Sequence, residues 1–130
     1  MTVPAVDCLL AAVEAGVAPP ADVFVDGVVL DATVPNWRFT VQGRYGVSRQ
    51  FGEWFHDRGT FEELVRRPLP NGELVEFTLA WEESGVPYAC HQVHVLAVED
   101  GRIEADTVFC GGRWPASLLA EMAEASGALA

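Results

Sequence analysis

Two dipeptides, Ser84-Gly85 and Asp100-Gly101, restrict the fold of this chain more than any other feature. Each separates long alternating runs within residues 73–110, and such pairs supply the positive φ angles that close two-residue hairpins. Tight turns at both places set the pairing. Trp81 then faces Tyr88, Leu79 faces Cys90, Phe77 faces Gln92 and Val75 faces His94. Across the second turn Val98 meets Ile103, Leu96 meets Ala105, His94 meets Thr107 and Gln92 meets Phe109. Directly opposed residues share one side of a sheet, so these form a single, largely apolar face. Glu76, Thr78, Glu82, Glu104 and Asp106 fall on the other side. Gln92 and His94 are the polar exceptions amid the apolar face, and function is sought there first.

The 130 residues suit one domain, 1–130, with a substantial core. Half of them are hydrophobic, which excludes a disordered chain. No apolar run approaches the ~20 residues of a membrane span. Residues 1–16 lack a basic leader, and Asp7 and Glu14 flank their apolar part, so they read as a helix and not a signal peptide. The formal charge is −11 and all eight basic residues are arginines, thinly spread. Without a basic patch, nucleic acids and anionic membrane surfaces are poor partners. Cys8, Cys90 and Cys110 are odd in number and lack metal-site spacing. In the register above Cys90 and Cys110 point to opposite faces, so free thiols in a reducing cytoplasm are expected.

Apolar Val6, Leu9, Leu10 and Val13 recur at helical spacing over 4–15, with Pro4 at the start and Gly16 past the end. A short helical turn follows near Asp22-Phe24. Residues 28–34 and 37–42 read as a hairpin about Pro35-Asn36. A second helix over 45–57 turns Val47, Phe51, Trp54 and Phe55 inward. Phe61–Arg67 is a strand, Pro68–Gly72 a proline-bounded turn, and 73–82 a long strand. A last amphipathic helix spans 116–125. Helices followed by a long meander imply an α+β fold, with helices on one side of a bent sheet.

The phrases DVFVDGVVLDATVP (22–35), GRYGVSRQFGEWF (43–55) and HVLAVEDGRIEADTVF (94–109), in this order, resemble the SnoaL-like branch of the nuclear transport factor 2-like superfamily. That resemblance implies a cone: a curved mixed or antiparallel sheet wrapped on N-terminal helices, the cystatin-like α+β barrel. It also implies a pocket at the wide end and, often, a homodimer formed through the outer sheet face. Members include polyketide cyclases, steroid isomerases, epoxide hydrolases, dehydratases and non-catalytic proteins. SnoaL-like cyclases carry an acidic residue near the end of the last strand, where this chain has Phe109-Cys110-Gly111. Steroid isomerases use a tyrosine in the early helical region, and residues 1–24 contain none.

His94 is the leading acid/base candidate, an imidazole facing the concave side. Gln92 lies ~7 Å away along the strand, so both could touch one small molecule. The bland alternative is that the two satisfy each other, Thr107 or a buried water. Asp31 has two readings. The resemblance places it near the isomerase base, whereas pairing with Thr40 puts it on a polar side beside Arg38, in a surface ion pair. Gln92, Thr107, Phe77, Phe109, Trp81, Tyr88 and Trp37 are the candidate substrate-binding residues; the aromatics among them equally suit core or plug. His91 and His94, spaced i and i+3, lie on opposite faces of a strand and make no metal pair. No metal or cofactor is called for. The expectation is a small hydrophobic ligand and, in an enzyme, cofactor-independent isomerisation, cyclisation or dehydration. The rival is a non-catalytic binding or dimeric assembly module with a plugged cone.

Overall fold

The computed structural model describes residues 2–129. Helix α1 (Pro4–Ala15) and a 3-10 turn (Ala21–Val23) precede β1 (Phe24–Val34) and β2 (Trp37–Gln42). Helix α2 (Arg44–Trp54) leads into β3 (Gly59–Leu69), β4 (Gly72–Glu83), β5 (Val86–Glu99) and β6 (Arg102–Cys110). A two-residue β7 (Trp114–Pro115) and helix α3 (Ala116–Leu129) complete the described chain. One sheet runs β2-β1-β6-β5-β4-β3, and β7 joins β5. All pairs are antiparallel except β1 with β6, so the sheet is mixed. Its concave side is packed by α1 and α2. Val6, Leu9, Leu10 and Val13 of α1 and Val47 and Phe51 of α2 meet Phe24, Leu30, Val75, Phe77, Leu96, Ile103 and Val108 of the sheet.

Gly16 ends α1 for two reasons at once. Its φ of 71° is the left-handed cap glycine favours. A side chain there would also strike the Asp57 backbone, with a Cβ only 2.4 Å from the carbonyl carbon. Both SG and DG turns form, with φ near 50° at Ser84 and Asp100 and positive φ at the following glycines. β3 continues through Pro68 to Leu69 where a proline-bounded turn was expected. It is an edge strand, and a residue lacking an N–H is tolerated there. α2 stops at Trp54, three residues short of the expected 57, and β1 starts four residues early at Phe24, which pairs in parallel with Ile103.

The first hairpin has the register read from the sequence: Trp81 with Tyr88, Leu79 with Cys90, Phe77 with Gln92, Val75 with His94. The second departs from it. Val98 pairs with Ile103 as expected, but the register shifts there and Ala97 pairs with Ala105, leaving Glu104 as the extra residue of a bulge. From that point His94 faces Val108, and Gln92 faces Cys110. A shift of one residue exchanges the faces of everything beyond it. Thr107 and Phe109 therefore point outward, against the expectation that they line the concave side, and Phe109 is half exposed. Asp106, expected in water, is buried on the concave side. Cys110 shares that side with Cys90, not the opposite one.

A second buried carboxylate ties the N-terminal helix to the sheet. Glu73 Oε2 accepts the Val3 backbone N–H at 2.9 Å, just ahead of α1. Arg66 donates to both Glu73 oxygens at 2.8 Å and to Asp7 Oδ1 at 2.5 Å. Those contacts with Glu73, then Asp7, hold the guanidinium above its ordinary pKa. Removing Glu73 leaves the largely buried Arg66 guanidinium and the Val3 N–H short of an acceptor. Glu73→Ala is expected to lower unfolding stability by about 3 kcal/mol in urea titrations; a loss below ~1 kcal/mol would show the network to be idle.

Candidate functional site

The narrow part of the cone is filled. His94 lies between two phenylalanine rings, Phe77 at 5.4 Å and nearly parallel, and Phe51 at 5.9 Å. Phe77 packs further against Phe55 and Phe61. The wide part is not filled. A cavity of about 660 Å3 opens between the β1–β2 hairpin, α2, and the ends of β4, β5 and β6. Phe39, Trp54, Phe55 and Trp81 form its walls, and Trp37, 67% exposed, stands on its rim. Val47 and Phe51 of α2 take the core-facing stripe. One position round the helix, Gln50 and Trp54 are spaced i and i+4 and so face the cavity together.

Gln92, Cys90 and Cys110 supply polar or polarisable groups to the lining, and Gln92 begins a hydrogen-bonded chain running inward. Its Oε1 meets His94 Nε2 at 2.8 Å, and its Nε2 donates to Cys110 Sγ at 3.3 Å. His94 Nδ1 meets Asp106 Oδ2 at 2.7 Å. The Gly112 N–H also donates to Cys110 Sγ, at 3.4 Å. Gln92, His94 and Asp106 are all at least nineteen-twentieths buried. Both contact atoms are acceptors, so a neutral ring donates to only one of them, and neither nitrogen faces the cavity. His94 sits behind the carboxamide. The second Asp106 oxygen, Oδ1, is buried without a hydrogen-bond partner among the described residues, which leaves one costly polar vacancy beside the pair.

Arg113 stands at the mouth. Its guanidinium lies over the rings of Trp81 and Tyr88, 5.8 and 5.4 Å from their centroids, and those rings stack on each other. Its Nη2 bonds Glu83, whose Oε1 also accepts the Trp81 indole N–H at 3.1 Å. The indole, and then Arg113, hold the Glu83 carboxyl below its usual range. Deeper in, burial pushes the Cys90 thiol up to about 12, with the neighbouring Cys110 adding to it.

Of the candidates named from sequence, Gln92, Trp81 and Trp37 line the cavity. Phe77 does not; it lies beneath His94. Tyr88 lines a neighbouring groove with Pro87, Ala89 and Leu119. Thr107 and Phe109 are excluded by the bulge. Asp31 is opposite Thr40 and bonded by Arg38 through two contacts, 2.9 and 2.6 Å. That bidentate pair lowers the Asp31 carboxyl and lies outside the cavity, so the ion-pair reading of the sequence describes it. His91 is on the outer face, between Thr78 Oγ1 and Glu76 Oε2, each at 2.8 Å. His56, Asp57 and Glu83 approach one another at the surface, with Glu83 already bonded to Arg113 and Trp81.

No protein-family model matches the chain, and no curated protein matches its sequence. Solved structures do match. A protein from Bacillus subtilis described as a "Putative Isomerase" superposes with a TM-score of 0.67 at 14% identity, covering 82% of this chain and 84% of that one. A "putative polyketide cyclase" from Pseudomonas putida gives 0.62 at 19% identity over 83% and 90%. A protein of ketosteroid isomerase-like fold from Catenulispora acidiphila, in complex with trimethylamine, gives 0.63 at 14% identity over 85% and 88%. At these identities the likeness establishes the fold. The chain has the α+β cone of nuclear transport factor 2-like proteins, in keeping with its sequence resemblance.

Because folding favours the neutral Cys90 thiol, its contribution to stability is complete below pH 9 and is lost as the pH rises from 9 toward about 12. Cys90→Ala is expected to flatten the fall in melting temperature across that window. In the folded wild type at pH 8, iodoacetamide should label the exposed Cys8 and spare Cys90. Equal labelling of the two by mass spectrometry would contradict this burial.

Proposed function

We propose that the protein binds a small, flat, largely apolar molecule in the wide end of its cone, with the Gln92 carboxamide as polar anchor. The observation carrying this reading is the open volume. About 660 Å3 lies within the ordinary range for small-molecule sites, and an exposed tryptophan stands at its rim. A plugged cone would have left no such space. The known neighbours described as isomerase or cyclase share this architecture, and fold alone does not transfer their reactions.

The buried His94–Asp106 pair favours a second reading, cofactor-independent proton transfer. Asp106 orients the ring, and turning Gln92 aside would open Nε2 to the cavity. Nε2 would then take a proton from the carbon beside a ketone, the C–H electron pair moving to the oxygen, and return it to the enolate. His94 is the acid/base in this scheme. Asp106 is a positioning residue.

One probe serves both readings. 2-Acetylnaphthalene is expected to raise the melting temperature and quench tryptophan fluorescence. Trp37→Ala should weaken it by about three- to tenfold, and Gln92→Ala by about tenfold. No shift with this ketone, steroids or polyketide-like aromatics would remove the binding reading. If proton transfer operates, the methyl protons of the bound ketone exchange with deuterated water faster in wild type than in Asp106→Asn, as NMR will show.

A homodimer through the outer sheet face belongs to the same proposal, as does residence in the cytoplasm, where three free thiols stay reduced. Among the described residues, no helix is long and apolar enough to cross a membrane. Val29, Val95 and Phe109 are exposed on the outer face, around the Asp31–Thr107 row, and this face is the one proposed to meet a second copy. Sedimentation should give a dimer for wild type and a monomer of unchanged fold for Phe109→Glu. A monomeric wild type would remove the assembly claim.

A further inference from the structure

Arg113 is the one charged side chain among the residues lining the cavity. The chain has nineteen acidic residues and eight basic ones, yet no carboxylate lines this wall. Arg113 is placed by the backbone. β6 ends at Cys110, and Gly112, at φ 112°, turns the chain back while its N–H bonds Cys110 Sγ. A side chain at Gly112 would press on Pro35, with a Cβ 3.0 Å from Pro35 Cγ across the mouth. The guanidinium is then laid over Trp81 and Tyr88, which restricts where its fork points.

That fork is mostly unused. Among the described residues only Nη2 has a hydrogen-bond partner, Glu83, and just over half of the side chain is exposed. Nε–H and the Nη1 hydrogens remain free, so a carboxylate oxygen can take a charge-assisted hydrogen bond from Nη1 without displacing Glu83. Glu83 also keeps the Trp81 indole as donor, so sharing Arg113 with a ligand does not strand it. Between Arg113 at the mouth and Gln92 on the floor the lining is aromatic, sulfur-bearing and aliphatic apart from the Gln50 carboxamide.

We propose that the cavity takes a planar aromatic carboxylic acid, its carboxylate held by Arg113 and its ring system between Trp37, Trp54 and Trp81. This rests on the binding reading above and adds the chemical class of the ligand. A net charge of −11 works against any anion at long range. Preference for an acid over its neutral isostere therefore has to come from a local contact, which makes the preference diagnostic.

The test compares naphthalene-2-carboxylic acid with naphthalene-2-carboxamide by tryptophan quenching and calorimetry at pH 7.5. Wild type should bind the acid about tenfold more tightly, the scale of a charge-assisted hydrogen bond. Arg113→Gln should reduce that ratio to one or below, and Arg113→Lys should restore part of it. Glu83→Gln, which releases Arg113 from its internal partner, should raise the ratio and serves if Arg113→Gln fails to fold. Equal affinities in wild type, or a preference that survives Arg113→Gln, would overturn the assignment while leaving the binding reading intact. If neither compound binds while 2-acetylnaphthalene does, the acid assignment falls alone; if none of the three binds, the support for the binding reading falls with it.

Discussion

A single unpaired residue in β6 decides what this cone contains. With Glu104 bulged out, the strand beyond it presents Asp106, Val108 and Cys110 to the interior, and leaves Thr107 and Phe109 outside. Without the bulge, an imidazole would face a threonine hydroxyl and the carboxamide would face a phenyl ring. With it, His94 meets a carboxylate and Gln92 meets a thiol. The bulge also sets the parallel register with β1, where Leu30 lies beside Asp106 and Ala32 beside Val108. Two neighbouring strands thus close over the same polar pair, and the cost of burying it is offset only by its own hydrogen bonds.

The division of the cone into filled and open parts follows from side-chain size. Phe51 and Phe77 hold the imidazole between them, and Leu9, Leu10 and Val13 of α1 close the volume behind it. Nearer the mouth the opposing residues are shorter. The small cysteines 90 and 110 line it, and Gly112 keeps the approach to Pro35 clear. The aromatic rings that remain line an opening instead of filling it.

Much of this was legible in the chain. The SG turn gave the β4–β5 register residue for residue, because a two-residue loop with alternating flanks admits no slip that keeps Val75, Phe77 and Leu79 inside. Helical spacing likewise identified the buried faces of α1 and α2. The β5–β6 register was not legible: Ile103, Ala105, Thr107 and Phe109 alternate as convincingly as Asp106, Val108 and Cys110, and a bulge leaves no mark on such a pattern. Thr107 and Phe109 were lost, and Asp106 and Cys110 missed, through that one shift. Gln50 could have been found, one helical turn before Trp54. Arg113 carried no signal, since its position depends on a glycine turn and on two rings distant in sequence. Glu73 was readable in principle, two residues before Val75 on the same face, but its partner Arg66 comes from another strand.

What separates this interior from a plain core is which of its polar groups are spent. Each ring nitrogen of His94 is in contact with an oxygen of the protein, and Asp106 and Gln92 hold the ring in place. Such a chain seats the carboxamide at the cavity floor, and turning Gln92 aside would uncover His94 Nε2 and Cys110 Sγ together. A molecule entering the cone would meet a floor with one spare amide N–H, walls apolar but for Gln50, and a guanidinium at the rim with donors to spare. Rigid placement of a few polar groups in apolar surroundings lets a small site discriminate, since a ligand lacking the matching atom leaves a desolvated partner unpaired. On the proposed reading, selectivity in this cone would be built at two heights, an amide below and a cation above.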